Sequence, residues 1–317
     1  MEDFEMPNEP LPDFDIIDIS YVLGERSIDV VTDLPDFSVV IEKTGIKTVH
    51  ETDGSSLDLA EHAASKLLES TTVQRSEITC TIVVTQSATN ILPSTACLLQ
   101  DRLGLSSSSI AFDINQGCSG FVQGLVLANS LVRTFPVILL VCVDTYREKL
   151  RNDDRSTMTV FSDAASATLI GRGTSNRIIS QSHYTSGSGA RFLIQSIADG
   201  SQIDRLHMSG ADVFLWTKRV VTKQIVEMID QCSNRGTQIG ALFAHQASKI
   251  VLDSFRSKLP QEISMPTNIE HVGNTTSSSI PILISENRDL FDEKTVLLAG
   301  FGVGLSSSCV VIAHPDH

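Results

Sequence analysis

Three short segments, far apart in the chain, carry side chains that together are equipped for nucleophilic chemistry. Asn115-Gln116-Gly117-Cys118-Ser119-Gly120 offers a thiol, Phe243-Ala244-His245-Gln246-Ala247 an imidazole, and His271-Val272-Gly273-Asn274-Thr275 a carboxamide. A thiol forms covalent intermediates as its thiolate, and an imidazole or amide nearby can move a proton or hydrogen-bond a developing charge. Ahead of Cys118 runs the apolar stretch Ile110-Ala111-Phe112-Asp113-Ile114. Behind it Phe121, Val122, Leu125, Val126, Leu127 and Leu131 recur at helical spacing. Cys118 is therefore expected at a helix N-terminus, where free backbone N–H groups and the helix dipole favour the thiolate and draw a reference pKa of about 8.5 toward neutrality.

Each residue also has a plainer reading. Cys80, Cys97, Cys142, Cys232 and Cys309 lie in or beside apolar runs and read as small buried hydrophobes. Cys118 differs in its small neighbours, Gly117, Ser119 and Gly120, which let the backbone turn sharply and approach a ligand. His245 can be a core histidine satisfied by backbone, and Asn274 a left-handed turn residue after Gly273. The serine runs 106–109, 277–279 and 306–308 read as turns and tight packing.

The elements that must position these residues repeat. Ile78–Val84 reads as a buried strand running into Thr85-Gln86-Ser87, and Ile239–Ala244 as a second one running into His245-Gln246-Ala247. The strands 138–143 and 164–170 are echoed by 295–299 and 306–312. Helices are predicted over 56–69, 94–103, 118–132, 213–231, 247–258 and 277–285. Alternating strands and helices argue for α/β layers with buried sheets. The stretch Tyr184–His207, rich in Gly and Ser, suits either a substrate-covering loop or a plain surface loop.

In this order the segments resemble the β-ketoacyl-acyl-carrier-protein synthase III family of the thiolase-like superfamily, from about Lys43 onward. Lys43-Thr44-Gly45-Ile46 is similar to the family's R-T-G-I, and Thr85-Gln86-Ser87-Ala88-Thr89 through Leu92-Pro93-Ser94 to its T-x-S-x-T…P-S segment. Asp113–Gly120 resembles the cysteine elbow, and Phe161-Ser162-Asp163-Ala164-Ala165 the F-G-D-G-A segment. His245-Gln246-Ala247, Asn274-Thr275 and Gly300-Phe301-Gly302-Val303-Gly304 resemble the H-Q-A, the asparagine loop and the glycine-rich C-terminal loop. The resemblance implies a thiolase-like α/β fold of two pseudo-duplicated halves in five α-β-α-β-α layers. The expected division is an acidic arm over 1–20, a cysteine-bearing half over 21–172 and a half with the histidine and asparagine over 173–317. It further implies a homodimeric enzyme of fatty acid biosynthesis or a related pathway that acylates Cys118 from an acyl-CoA or acyl-carrier-protein thioester and condenses the acyl group with a malonyl thioester. Cys118, His245 and Asn274 would be catalytic. The N–H groups of Cys118 and Gly304 would form the oxyanion hole, Lys43, Arg155 and Lys249 would meet the carrier, and Leu92 would shape the acyl pocket. No bound cofactor is implied.

Departures bear on the substrate. Val39 and Val49 stand where typical members have a tryptophan that stacks on adenine and an arginine. Ser248 and Lys249 replace an asparagine and arginine, Ser306-Ser307-Ser308 replaces T-W-G, and Leu92 replaces a phenylalanine that crosses the dimer interface. A specialised pathway fits these changes. An acyltransferase of the same fold that passes the acyl group to an amine or hydroxyl is an alternative. A papain-like peptidase fits poorly, because Cys118 lies deep in the chain, and a noncatalytic subunit fits poorly because all three residues are present.

Composition is compatible with this. The chain has 317 residues, 41% of them hydrophobic, and a net charge of -14, which argues against nucleic acid and anionic membranes as partners. Carriers are themselves anionic, so docking needs a local basic patch drawn from Lys43, Lys47, Arg147, Lys149, Arg151, Arg155, Arg219, Lys249 and Arg256. The acidic, proline-bearing first fifteen residues do not resemble a signal peptide, and the apolar run Pro136–Val143 is too short to span a bilayer. Six cysteines without paired spacing suit a reducing cytoplasm, and no CxxC or HExxH spacing suggests a metal.

Overall fold

The computed structural model describes residues 11–30, 38–150, 154–198 and 202–314, with backbone alone at 38–40, 155, 156, 198, 202 and 203. Two sheets form its frame. In the first, β1 (Phe14–Leu23), β2 (Cys80–Val84), β3 (Ile110–Ile114), β4 (Val137–Asp144) and β5 (Ala164–Arg172) lie in the order β1-β5-β4-β2-β3. In the second, β6 (Arg177–Thr185), β7 (Ala241–Ala244), β8 (Val296–Gly302) and β9 (Ser306–Ala313) lie in the order β6-β9-β8-β7. The β4–β2 and β8–β7 pairs are parallel, and the β1–β5–β4 and β6–β9–β8 neighbours antiparallel. Strand order and direction thus repeat, β2 matching β7, β4 matching β8 and β5 matching β9, as the echoed apolar runs suggest.

Alternation of side chains then dictates the layers. Val83, Leu139, Val141 and Leu169 face outward under helices α1 (Ser56–Ser70) and α2 (Thr95–Arg102). Ile82, Leu140, Phe243 and Leu298 face inward onto the middle helices α3 (Gly120–Leu131) and α7 (Ser279–Glu286). Leu242, Leu297 and Val311 face outward again, under α5 (Thr222–Asn234) and α6 (Lys249–Arg256). The result is five layers, α-β-α-β-α. Helix α1 starts where a capping box permits: Ser55 Oγ accepts from the Asp58 N–H at 3.2 Å and the Asp58 carboxylate from the Ser55 N–H at 2.9 Å. Helix α3 can enter the middle layer because Gly120 lies so close to β2 that a Cβ there would sit 2.4 Å from Val84 Cγ1.

Two expectations change. Of the arm expected over 1–20, residues 1–10 lie outside the described residues, but Phe14–Leu23 is strand β1, paired with β5. Its acidic residues hide the apolar positions between them: Phe14 and Ile16 are core residues, while Asp13 pairs with Arg177 at 2.7 Å and Asp15 accepts from the Ser175 N–H. The helix expected over 213–231 begins earlier, as α4 (Gly210–Trp216), and passes through a wide π turn at Thr217–Val221 into α5. No helix among the described residues is long and apolar enough to cross a membrane.

The ends of the halves are joined by one carboxylate. Asp144, at the end of β4, is fully buried and accepts from the Gln86 N–H at 2.7 Å, Thr276 Oγ1 at 2.6 Å and Ser277 Oγ at 2.7 Å. Replacing Asp144 with Ala would orphan three buried donors and should lower the unfolding free energy by at least about 3 kcal/mol, with Asp144→Asn losing less. Denaturant unfolding of the two variants against the parent checks this, and equal stability of all three would refute it.

Candidate active site

The carboxyl ends of β2, β3, β4, β7 and β8 converge, the place where sheets of this type deliver side chains to ligands. There a cavity of about 240 Å³ opens, and Cys118, His245 and Asn274 all line it. Cys118, more than a hundred residues before the other two in the chain, is thus brought to one wall with them.

Cys118 lies between β3 and α3, just ahead of Ser119, which stands at the N-cap position but turns its hydroxyl to Ser306 Oγ at 2.8 Å. Burial, with the Asp144 carboxylate adding to it, pushes its thiol up to about 12, although its own backbone N–H opposes the shift. The expected depression toward neutrality is therefore reversed. A helix end favours a thiolate by a modest partial charge, whereas taking an anion out of water in the middle layer costs more. Cys118 rests as a neutral thiol.

His245 extends from β7, its N–H donating to the Ala299 carbonyl at 2.9 Å and its ring standing edge-on to Phe301 at 5.3 Å. Burial pushes the imidazole down to about 3, so it too is neutral. Its Nδ1 is buried with no hydrogen-bond partner, so nothing fixes which ring nitrogen carries the proton. The neighbour Gln246 is structural. Its N–H donates to Ser279 Oγ at 2.7 Å, and its side chain bonds the Ala244 carbonyl and the Asn268 N–H.

Asn274 is held at both backbone groups, its N–H donating to Val160 O at 2.9 Å and its carbonyl accepting from the Ser162 N–H at 2.9 Å. Its Oδ1 accepts from the Thr276 N–H at 2.9 Å. That bond identifies the oxygen of the amide and leaves Nδ2 as the donor available to the cavity.

Gly304, expected in the oxyanion hole, is not among the residues that line the cavity. A Cβ on Gly304 would meet Ser306, whereas one on Gly302 would sit 3.1 Å from Cys118 Sγ, and it is Gly302 and Val303 that line the cavity. The reason is the register of the hairpin: Gly302 and Ser306 are the last pair of β8 and β9, and Gly304 lies in the turn beyond them.

The carrier and pocket residues divide. Lys43 is exposed and lines the cavity. Lys249 opens α6 beside Gly45 and pairs with Asp253 at 2.5 Å without reaching the cavity wall. Arg155 opens the short helix Arg155–Met158, and its side chain lies outside the described residues, as do that of Val39 and the whole of Arg151. Arg147 points inward, bonding Glu51 and the carbonyls of Met158 and Phe161, and Arg256 is tied to the carbonyls of Pro260 and Ile263. Val49 is a core residue, so its position offers no phosphate contact. Leu92 is 80% exposed and lies outside the cavity of its own chain. Asp113, part of the cysteine elbow in sequence, holds the first turn of α2 by accepting from the Thr95 and Ala96 N–H groups at 2.7 and 2.8 Å. The Tyr184–His207 stretch contributes Leu193 to the cavity. Sequence reasoning missed Tyr146 and Phe301 in the wall; the placement of both just beyond or within strands that end at the site was the available signal. Among the described residues no group of three or more His, Cys, Asp or Glu side chains is placed to hold a metal ion.

A neutral buried thiol reacts only through its minor thiolate. Alkylation of Cys118 by iodoacetamide should therefore rise about tenfold per pH unit through pH 9 without levelling. Peptide mass spectrometry at Cys118 across pH checks this, and a plateau near pH 7 would show a depressed pKa instead.

Comparison with known proteins agrees with the geometry. The profile of 3-Oxoacyl-[acyl-carrier-protein (ACP)] synthase III matches residues 112–187, and that of its C-terminal part residues 229–314. The Beta-ketoacyl-[acyl-carrier-protein] synthase III of Clostridium perfringens is 31% identical over 288 residues, spanning 85% of this chain and 88% of its own. That of Koribacter versatilis is 30% identical over 295 residues, spanning 86% and 88%. The crystal structure of the 3-oxoacyl-(acyl-carrier protein) synthase from Burkholderia xenovorans superposes with a TM-score of 0.86 at 29% identity, covering 96% of this chain and 95% of that one. With its duplicated thiolase-like fold and the cysteine, histidine and asparagine at one cavity, this chain belongs to the 3-oxoacyl-[acyl-carrier-protein] synthase III family.

Proposed function

We propose that the chain forms an acyl-Cys118 thioester and condenses it with a malonyl thioester. The observation that carries this reading is the joint placement of a thiol, a neutral imidazole and an amide with a free Nδ2 donor in one cavity. Cys118 sulfur attacks the acyl carbonyl, its proton passes to the unprotonated nitrogen of His245, and the carrier thiol leaves with that proton. The Cys118 N–H and, in place of Gly304, the Val303 N–H stabilise the oxyanion. The malonyl thioester then loses carbon dioxide, the electrons of the broken C–C bond form an enolate, and His245 and Asn274 donate hydrogen bonds to its oxygen. The enolate carbon attacks the acyl carbonyl, forming the new C–C bond and expelling Cys118 sulfur as a thiolate, which takes up one proton from solvent to restore the thiol.

The enzyme acts as a homodimer in the cytoplasm, in a specialised pathway. Exposed Ile91 and Leu92 on one loop and Ile110 on edge strand β3 support the dimer, in which Leu92 would reach the partner's acyl pocket. The Ser248, Lys249 and Ser306–Ser308 departures support a specialised substrate.

Peptide mapping after incubation with acyl thioesters should place the adduct on Cys118 and lose it in Cys118→Ala; an adduct on Cys97 or Cys309 would refute the reading. Asn274→Ala should slow malonyl decarboxylation and condensation by roughly 10²- to 10³-fold while sparing acylation. Equal loss in both steps, or transfer of the acyl group to an amine or hydroxyl with no C–C product, would contradict the assigned roles.

Acyl groups on a carrier protein should acylate Cys118 faster than the same groups on coenzyme A, with Lys43, Lys249 and Arg256 as the docking charges on an acidic surface. The advantage should shrink as salt screens them. Rates on both carriers across ionic strength test this, and coenzyme A leading at every salt concentration would reverse it.

A further inference from the structure

Two hydroxyls join the cysteine elbow to the hairpin that faces it. Ser119, the residue after Cys118, and Ser306, the first residue of β9, are both buried, and their Oγ atoms lie 2.8 Å apart although 187 positions separate them in the chain. The direction of that bond follows from counting protons. A carbonyl can only accept, so Ser306 Oγ donates its one hydrogen to the Val303 carbonyl at 2.8 Å and must accept from Ser119. Ser119 Oγ accepts in turn from Gln123 Nε2 at 3.3 Å, one turn along α3. Gln123, Ser119, Ser306 and Val303 thus form a single directed chain that begins in the first half of the molecule and ends in the second. The other serines of the run bond elsewhere, Ser307 Oγ donating to Gln224 Oε1 at 2.7 Å and Ser308 Oγ meeting His183 Nδ1 at 2.8 Å.

The chain ends where the oxyanion hole needs a fixed distance, because its two donors, the Cys118 and Val303 N–H groups, sit on segments far apart in sequence. Gly302 and Ser306 are the last pair of β8 and β9, and the Ser306 hydroxyl holds the Val303 carbonyl, so the backbone is tied on either side of the Val303 N–H. The same turn is seated closely on the elbow. A Cβ on Gly302 would lie 2.9 Å from Cys118 Cβ, one on Gly300 3.0 Å from Ser119 Cα, and one on Gly117 2.8 Å from Val303 Cγ1. Neither serine lines the cavity, so neither touches substrate. We infer that Ser306, together with Ser119, is a positioning residue for acylation: its hydroxyl locks the Val303 turn to the cysteine elbow and holds the second oxyanion donor in register with the first. This rests on the acyl-Cys118 reading.

Two reactions of the same sulfur separate positioning from general damage. Acylation places negative charge on a carbonyl oxygen and uses the hole, whereas alkylation by iodoacetamide, in which Cys118 sulfur displaces iodide from a saturated carbon, develops no oxyanion. The full chain is treated with the faster-reacting of the acetyl and octanoyl thioesters of N-acetylcysteamine, and the adduct is followed by intact mass. Ser306→Ala should lower the saturating rate of acylation about 10- to 100-fold. The half-saturating concentration should hardly move, because the donors act in the transition state, and the alkylation rate should match that of the parent. Ser306→Thr, which keeps the hydroxyl, should restore acylation. Ser307→Ala, which removes an equally buried hydroxyl from the same strand, should acylate as the parent does. Ser119→Ala, which breaks the chain but spares the Val303 bond, should fall between, and it carries the test if Ser306→Ala does not fold. Acylation and alkylation falling together, Ser307→Ala losing as much as Ser306→Ala, or full acylation in the folded Ser306 and Ser119 variants would overturn the positioning role alone. No adduct on Cys118 of the parent with either thioester would overturn the acyl-enzyme reading along with it.

Discussion

The buried Asp144 carboxylate is the constraint on which the site depends. It ends β4 in the first sheet, fixes the loop after β2 through the Gln86 N–H, and reaches across to Thr276 and Ser277 beside the asparagine loop. Thr276 in turn donates its N–H to Asn274 Oδ1. One anion thus sets the distance between the cysteine side and the asparagine side and orients the amide. Burial raises the Asp144 carboxyl, and its hydrogen-bond donors and the nearby Lys149 act against that rise. A charge so placed also discourages a second anion, and this is part of why the Cys118 thiol is held in its neutral form.

The buried Cys118 and His245 side chains at the site are neutral. A thiol pushed up and an imidazole pushed down leave no ion pair between them, and Lys43, the charged residue of the cavity wall, is exposed, so no charge on Cys118 or His245 requires water to be drawn in to solvate it. Charge develops only as bonds change, against donors already in place. Preorganisation of that kind is worth most where water is excluded, and Phe301, packed on both His245 and Phe255, helps to exclude it.

Much of this was legible in the sequence because it is local. The doubled apolar runs reveal paired sheets, and the strand-to-loop positions of Cys118 and His245 place them at one rim, whereas Asn274 follows the short helix Ile269–Val272 and not the strand end its sequence suggests. What the sequence hides is carried by partners distant along the chain. Tyr146 meets Gln86 across 60 positions, and Asp144 meets Thr276 across 132. No periodicity marks either pair. Gly302 and Gly304 look equivalent in a glycine-rich run until hairpin register turns one toward the sulfur and the other toward Ser306. Acidic residues alternating with Phe14 and Ile16 resemble a solvated tail, yet the same alternation makes an edge strand. The direction of the Cys118 shift depends on burial depth, which a helix signal alone does not report.

The depth of Cys118 in the middle layer also bears on its chemical lifetime. Peroxides oxidise thiolates, stepwise and in the end irreversibly, and they must first reach the sulfur. Protonated and enclosed between two sheets, Cys118 is a poor target on both counts, whereas Cys97, near the start of α2, is exposed. The layering that holds the Cys118 thiol neutral therefore also shields it, and Cys97 is the more accessible sulfur of the two.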